Sequence, residues 1–160
     1  MAITYEPITT TTLGSDTASI TYSSLGSYTD IVIVANAALS ATADLSIRFN
    51  GDTGANYSMT LLKGNGTTTE GYRETNTTSS RIGQCVTSPR GAYVLNIYNY
   101  ANSNVYKTTV SRDNLPTSNA SSWVSTWRNT AAITSITLFG NGSSNLKSGS
   151  TFTLYGIKAA

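Results

Sequence analysis

The sequence predicts an all-β fold, a single antiparallel β-sandwich or jelly roll of about nine strands. Charged residues make up 11% of the chain, less than half of the roughly 25% usual in soluble domains. The 27 threonines, 22 serines, 14 asparagines and 13 glycines account for nearly half of it. Threonine favours strands, and serine, asparagine and glycine favour turns. No segment of helical length has apolar residues at helical spacing. Composition and patterning therefore both favour strands.

The chain is expected to form one domain. Its 160 residues are close to the usual domain size, and no shift in composition divides them. Residues 13–160 are expected to form the sandwich. Residues 1–12 are expected to form an N-terminal arm or an edge strand, because Pro7 lacks the N–H that a central strand needs. The start of the chain lacks the basic and apolar segments of a signal peptide, so export by the general route is not expected.

Short alternating or apolar segments indicate the strands. After a strand near the start, they cover residues 18–22, 28–35, 43–49, 57–61, 92–100, 105–112, 122–128, 133–139 and 151–157. Residues 28–35 become continuously apolar, which predicts a strand covered on both faces. Residues 63–82 are polar and are interpreted as a long surface loop with a weak edge strand near Tyr72. Residues 113–121, which include Pro116, and residues 140–150 are interpreted as further loops.

The pair Asn50-Gly51 predicts a hairpin between residues 43–49 and 57–61, because both residues tolerate the positive φ angles of a type I′ turn. Asn50, Asp52 and Thr53 also offer oxygen atoms that would suit calcium. One carboxylate is too few for such a site, and turn formation explains the same residues. The turn is therefore the favoured interpretation.

The residues do not form a recognisable catalytic or metal-binding set. There is no histidine, which excludes Ser-His-Asp and Cys-His mechanisms. One cysteine and eight scattered acidic residues do not make a zinc site. Glu70 and Glu74 are the acid pair to consider for a glycosidase, but they fall in a predicted loop and are interpreted as solvated charges. Cys85 is expected to be a small buried side chain. We expect no catalytic residue, no metal, no cofactor and no enzymatic activity.

Two classes of partner are not expected from charge and hydropathy. The net charge of +2 is spread thinly, without the basic stripe of a nucleic-acid-binding protein. The longest apolar run, residues 31–35, is far shorter than a membrane span.

The aromatic residues have two interpretations. Trp123 and Trp127 lie on one side of their predicted strand, opposite Val124, which favours the core for both. Aromatic rings with a polar group also form platforms for sugars and for protein partners. Trp123, Trp127, Tyr72 and Tyr100 are therefore the candidate contacts for a glycan or a partner.

Several segments together resemble the small β-sandwich structural proteins of tailed bacteriophages, notably those of cyanobacterial hosts. These segments are residues 28–34 (YTDIVIV), 47–52 (IRFNGD), 56–58 (NYS), 127–138 (WRNTAAITSITL) and 149–157 (GSTFTLYGI). The resemblance runs from about residue 3 to residue 158, and its most specific part is the C-terminal segment. It implies a virion protein, either a capsid decoration (cement) protein or a tail-fibre-like domain, and it brings no catalytic motif.

The single-domain length and the low-charge surface favour the decoration protein. The expectation is a homotrimer on the capsid surface, made in the host cytoplasm, with the major capsid protein or other virion proteins as partners. The alternative is a tail-fibre or receptor-binding domain that recognises a host surface glycan through residues 63–82, 113–121 and 140–150. A glycan-cleaving enzyme is the third and weakest hypothesis.

Overall fold

The computed structural model describes residues 4–115 and 118–158 of the chain, and it confirms the antiparallel β-sandwich. These residues contain no α-helix, and their one helical turn is the 3-10 segment Asn141–Ser143. No helix within them is long and apolar enough to cross a bilayer.

The described residues form twelve strands rather than about nine. In chain order they are β1 (Thr4–Thr12), β2 (Ser19–Tyr22), β3 (Asp30–Ala37), β4 (Ala43–Phe49), β5 (Tyr57–Gly64), β6 (Thr69–Thr77), β7 (Ser80–Cys85), β8 (Gly91–Ile97), β9 (Lys107–Leu115), β10 (Asn119–Trp127), β11 (Ile136–Gly140) and β12 (Thr151–Lys158). The N-terminal segment, as far as it is described, is an edge strand paired with β12.

The two sheets differ in width, and this difference shapes the molecule. The large sheet has the order β1-β12-β3-β8-β9-β10-β5-β6, and the small sheet has the order β2-β11-β4-β7. Alternate residues of facing strands fill the space between them, among them Ile31, Ile33, Leu45, Ile47, Leu95 and Leu138. Because four strands cannot cover eight, the inner faces of β10, β5 and β6 extend past the small sheet, whose edge strand β7 lies against β10 and β5.

The weak edge strand predicted near Tyr72 is present as β6, but the long loop predicted around it at residues 63–82 is wrong for most of its length. Two edge strands occupy it: β6 borders the large sheet beside β5, and β7 borders the small sheet beside β4. Strand β6 is mostly exposed, so hydrogen bonding to β5 rather than apolar burial holds it. Because such a strand does not need an apolar residue at every second position, its sequence lacks the alternation that predicts a strand.

The predicted loop at residues 113–121 is also mostly strand. Asp113 and Leu115 continue β9 with inward side chains, and β10 starts at Asn119. The N–H of Ser118 donates to the carbonyl of Leu115 at 3.0 Å. Pro116 and Thr117 lie outside the described residues. The polar residues that suggested a loop belong to a strand pair whose inner face is partly polar.

The Asn50-Gly51 turn forms, but it does not make a hairpin. Both residues have positive φ, 51° and 65°, and the N–H of Asp52 donates to the carbonyl of Phe49 at 2.9 Å. Strand β4 nevertheless pairs with β11 and β7, while β5 pairs with β10 and β6. The turn therefore carries the chain from the small sheet to the large one.

Strand β3 is central in the large sheet, but only part of it is covered on both faces. Ile31, Val32 and Ile33 are buried, whereas Val34 is 42% exposed. Val34 projects from the face of the large sheet that points away from the small sheet. The apolar run thus has two different surroundings. Ile31 and Ile33 point into the core, and Val34 points to the face that is open to solvent.

Candidate functional site

The four aromatic residues predicted as contacts differ in their exposure to solvent. Trp127, Tyr100 and Trp123 are 1%, 2% and 3% exposed, whereas Tyr72 is 38% exposed. Three of the four therefore lie inside the isolated chain, in agreement with the core interpretation of the two tryptophans. Tyr72 alone offers much ring surface to a partner.

Trp127 belongs to the main core and to the turn that follows β4. Its Nε1 donates to Asp52 Oδ2 at 2.7 Å, and its ring lies 5.6 Å from that of Phe49. Asp52 also accepts from Asn56 Nδ2 at 2.9 Å and from the N–H of Gly54 at 2.8 Å. Burial opposes ionisation of Asp52, but these hydrogen bonds outweigh it and lower the pKa of the carboxyl. The carboxylate is engaged within the chain, as the turn interpretation expected.

Tyr100 has a structural role at one end of the sandwich. Its hydroxyl donates to the carbonyl of Gly26 at 2.8 Å and accepts from the N–H of Tyr28 at 3.2 Å. These bonds hold the connection between β2 and β3 against the end of β8. Tyr100 is therefore not a surface contact in the isolated chain.

Tyr72 and Trp123 lie side by side where the edges of the two sheets meet. The register places Trp123 of β10 opposite Leu61 of β5, and Leu61 opposite Tyr72 of β6. The two aromatic rings meet edge to face, with centroids 5.9 Å apart. The Arg81 guanidinium from β7 lies 5.7 Å from the Trp123 centroid and donates to the Tyr72 hydroxyl. Arg81 thus joins the edge of the small sheet to that of the large sheet.

These residues line a recess of about 240 Å³, which we call the Trp123 recess. Its apolar wall is Leu61, Tyr72 and Trp123. Its polar wall is formed by Asp44, Lys63, Arg81, Gln84, Asn119 and Ser121. Trp123 packs with Met59 and Leu61 in a small apolar cluster separate from the main core. The recess exists because β7 alone covers this end of the large sheet.

Ion pairs balance the charges around the Trp123 recess. Arg81 pairs with Asp44 at 3.1 Å and with Glu74 at 2.9 Å, and Lys63 pairs with Glu70 at 2.9 Å. Burial raises the pKa of Asp44, while the Arg81 charge opposes this rise. Both cations lining the recess are therefore already compensated.

Buried polar atoms at the recess have no hydrogen-bond partner within the described residues. They are Trp123 Nε1, Asn119 Oδ1 and Asp113 Oδ2. Asp113 is 6% exposed, and its Oδ1 accepts from Ser121, a residue of the recess wall. The Trp123 N–H and the backbone N–H of Gln84 are directed toward the Asp113 carboxylate and favour it, although the contact from Trp123 is longer or more bent than a standard hydrogen bond. Burial prevails and raises the pKa of Asp113 to about 6.

The acid pair considered for a glycosidase lies on a strand, not on a loop. Glu70 and Glu74 are part of β6, and each is held in one of the ion pairs just described. Carboxylates held by Lys63 and Arg81 are engaged within the chain. Across residues 4–115 and 118–158, no three or more acidic or cysteine side chains cluster as metal ligands would. Cys85 is fully buried, as expected, and burial raises its thiol pKa.

Sequence reasoning missed Arg81, Asp44, Asp113 and Asn119. Arg81 and Asn119 fell in predicted loops, and Asp44 fell in the predicted strand at residues 43–49 without being singled out as a contact. Asp113 follows Lys107, Thr109 and Ser111 on the inner face of β9. An inward face made of polar residues has no hydrophobic signal, so the sequence offered no means of placing it.

The outer face of the large sheet, directed away from the small sheet, is the second candidate surface. Two rows of laterally paired residues cross all eight strands. The first row is Thr10, Thr153, Val34, Val94, Arg112, Ser122, Leu62 and Gly71. The second is Pro7, Tyr155, Val32, Asn96, Val110, Val124, Thr60 and Arg73. Arginine is the only charged residue type in these rows, and it occurs once in each.

Exposed apolar side chains concentrate on this outer face. Val34, Val124 and Leu62 are 42%, 47% and 66% exposed. Tyr5, close to Tyr155, is 58% exposed. Isolated exposed apolar residues are common, whereas several on one nearly uncharged sheet face indicate a contact surface.

Comparison with protein-family models finds no match, and a search of curated proteins finds no relative of this chain. The two surfaces are therefore interpreted from their own chemistry.

Proposed function

We propose that the chain is a structural protein of a tailed-phage particle, a decoration protein that binds the major capsid protein through the outer face of its large sheet. The observation that carries this proposal is the nearly uncharged, apolar and hydroxyl-rich surface of that face. The resemblance of residues 149–157 and the other quoted segments to phage structural proteins supports it.

The size of the outer face suits a protein interface. Eight strands spaced about 4.8 Å apart span roughly 34 Å, and seven residues along a strand span roughly 23 Å. The product is close to the roughly 800 Å² per partner that a stable interface buries. A partner lying across the eight strands would therefore find enough area on this one face.

The composition of the outer face lowers the cost of removing it from water. Valine side chains such as Val34 and Val124 gain free energy when they are buried. Threonine and serine hydroxyls both donate and accept, so they readily find new partners in a polar protein surface. Charged groups are costly to desolvate, and the two central rows contain only Arg73 and Arg112. The face therefore favours contact with protein over contact with nucleic acid.

The test is binding of the purified chain to emptied, expanded heads of the tailed phage whose genome carries the gene. Saturable binding that raises the melting temperature of the heads is the expected result. Trimeric assembly is part of the proposal, and light scattering of the free and bound protein measures it. A chain that binds host cells but not heads would instead support the receptor-binding alternative.

Charges placed on the outer face are expected to abolish head binding. The double variant Val34→Lys/Val124→Lys should bind at least about 100-fold more weakly, because each lysine would be buried without a partner. Both positions are exposed in the free chain, so stability should change by only about 0.5 kcal/mol each. Val105→Lys, at a 40% exposed position outside the strands, is the matched control. Equal binding by the double variant and the control would refute the docking face.

A further inference from the structure

We propose that Asn141 is a site of spontaneous covalent modification, in which the backbone nitrogen of Gly142 displaces the side-chain ammonia and leaves aspartate or isoaspartate at position 141. The inference does not rest on the proposed function, because Asn141 follows β11 of the small sheet and lies outside the outer face of the large sheet.

Three Asn-Gly pairs occur in the chain, at residues 50–51, 65–66 and 141–142. A glycine after asparagine favours this reaction, because it has no side chain to hinder the approach of its nitrogen to the carboxamide. All six residues are exposed, so access of water does not distinguish the pairs. The pairs differ instead in the hydrogen bonds that hold each carboxamide.

The carboxamide of Asn141 is directed toward the nitrogen that would attack it. The N–H of Gly142 donates to Asn141 Oδ1 at 3.0 Å, which brings this nitrogen close to Cγ, the carbon that carries Oδ1. Asn141 Nδ2 makes no hydrogen bond within the described residues, so the leaving group is not held. The space that a Cβ of Gly142 would occupy is open, which leaves room for the turn to adjust as the ring closes.

Asn50 is held away from the nitrogen of Gly51. Its Nδ2 donates to the carbonyl of Ala132 at 2.8 Å. Its Oδ1 accepts from the N–H of Thr134 at 2.7 Å and from the N–H of Ser135 at 3.1 Å. The carboxamide must leave these bonds before Cγ can meet the attacking nitrogen, and two or three bonds of this kind are enough to slow ring closure about tenfold.

Asn65 is an intermediate case. Its Oδ1 accepts from the N–H of Thr67 at 3.0 Å and from the N–H of Thr68 at 2.7 Å. The carboxamide is therefore directed past Gly66, toward the two residues beyond it. Since these bonds hold only the oxygen and lie within one exposed turn, they are easier to break than those of Asn50. The expected order of reaction rates is Asn141, then Asn65, then Asn50.

The reaction needs only water and a base from the solvent. The Gly142 nitrogen loses its proton to the base and forms a bond to Asn141 Cγ. The Cγ–Nδ2 bond breaks, and Nδ2 takes up a proton and leaves as ammonia. Water then opens the resulting succinimide ring at one of its two carbonyls, which gives aspartate or isoaspartate. One water is consumed and one ammonia is released, and no atom is oxidised or reduced.

The product changes the charge and the backbone at one defined place. Asn141 lines a recess of about 290 Å³ together with Glu74 and Arg81, which pair at 2.9 Å. A carboxylate at position 141 adds a negative charge beside this ion pair. Isoaspartate also adds one carbon to the backbone of the turn that follows β11. Both products therefore mark the edge of the small sheet next to β7.

Peptide mapping by mass spectrometry tests the proposal on the folded protein, which is incubated in warm, mildly alkaline buffer. Trypsin places the three pairs in separate peptides, residues 49–63, 64–73 and 129–147, and fragmentation locates the converted residue. Asn141 should convert faster than Asn65 and at least about tenfold faster than Asn50. The rate should rise with pH, because the attacking nitrogen must lose its proton.

The same incubation in urea is the control for the role of the fold. Unfolding removes the hydrogen bonds that distinguish the pairs, so the three rates should approach one another and the rate at Asn50 should rise most. Asn141→Gln, whose longer side chain closes a larger ring with difficulty, should lose conversion at position 141 and keep it at the other two pairs.

Three results would overturn the proposal. The first is conversion of Asn50 or Asn65 as fast as that of Asn141 in the folded protein. The second is an Asn141 that stays unmodified in the folded protein while the unfolded protein is converted. The third is the same order and spread of rates with and without urea, which would show that the structure does not select the site.

Discussion

Replacement of Trp127 by alanine is expected to lower the free energy of unfolding by about 3–5 kcal/mol. The side chain is 1% exposed and packs against Phe49 and Tyr57. Its loss leaves a cavity that the aromatic neighbours cannot fill without leaving their own contacts. In a domain of this size the melting temperature should fall by roughly 10 °C or more. Urea unfolding followed by circular dichroism measures the effect.

The hydrogen bond of Trp127 separates its role from that of Trp123. Trp127→Phe keeps most of the ring but loses the 2.7 Å bond to Asp52, a bond to a charged group that is worth about 1.5–3 kcal/mol. Trp123→Phe removes an N–H that has no partner in the described residues, so it should cost less. When Asp52 is also replaced by alanine, the unfolding free energies lost in Trp127→Phe and in Trp123→Phe should differ by at least about 1 kcal/mol less than they do in the wild-type background. Equal costs for the two replacements in the wild-type background would show that the Asp52 bond contributes nothing.

The sandwich was predictable because its core strands follow the alternation of apolar residues. Tyr93, Leu95 and Ile97 face inward on β8, as their spacing required. Strand β4, with Leu45, Ile47 and Phe49 facing inward, has a comparable signal, whereas β3 was predicted from a continuous apolar run. Burial of one side of a strand leaves a period of two in the sequence, and these strands have one side in the core.

The Trp123 recess was predictable only in its aromatic residues. Tyr72 and Trp123 were singled out because aromatic rings with a polar group form contact platforms. Their meeting depends on the pairing of β10, β5 and β6, a long-range register that no local pattern contains. Arg81 reaches them from another sheet. Local patterning thus identified two aromatic residues of the recess, whereas sheet pairing brought them together with the polar residues that the sequence did not point to.

The buried carboxyl of Asp113 is expected to make the protein less stable at pH 7 than at pH 4. The pKa of Asp113 is raised from 3.8 to about 6 by burial. Between these values the unfolded chain has released the proton that the folded chain retains, so stability falls as pH rises. A rise of about two pKa units corresponds to about 3 kcal/mol of unfolding free energy, and the protein has lost all of this contribution above pH 6. Asp113→Asn, which cannot ionise, should therefore be more stable than the wild type at pH 7 by up to about 3 kcal/mol.

The difference between Asp113→Asn and wild type isolates this carboxyl from the other titrating groups. Near pH 4 both proteins carry a neutral side chain here, so their unfolding free energies should nearly coincide. Burial also raises the pKa of Asp44, and hydrogen bonds lower that of Asp52, but both groups remain in each protein and their effects cancel. Asp16→Asn, at an exposed position, controls for the loss of one negative charge. Urea unfolding from pH 4 to pH 7 should show the two curves diverging through pH 4–6, and curves that stay parallel would refute a raised pKa.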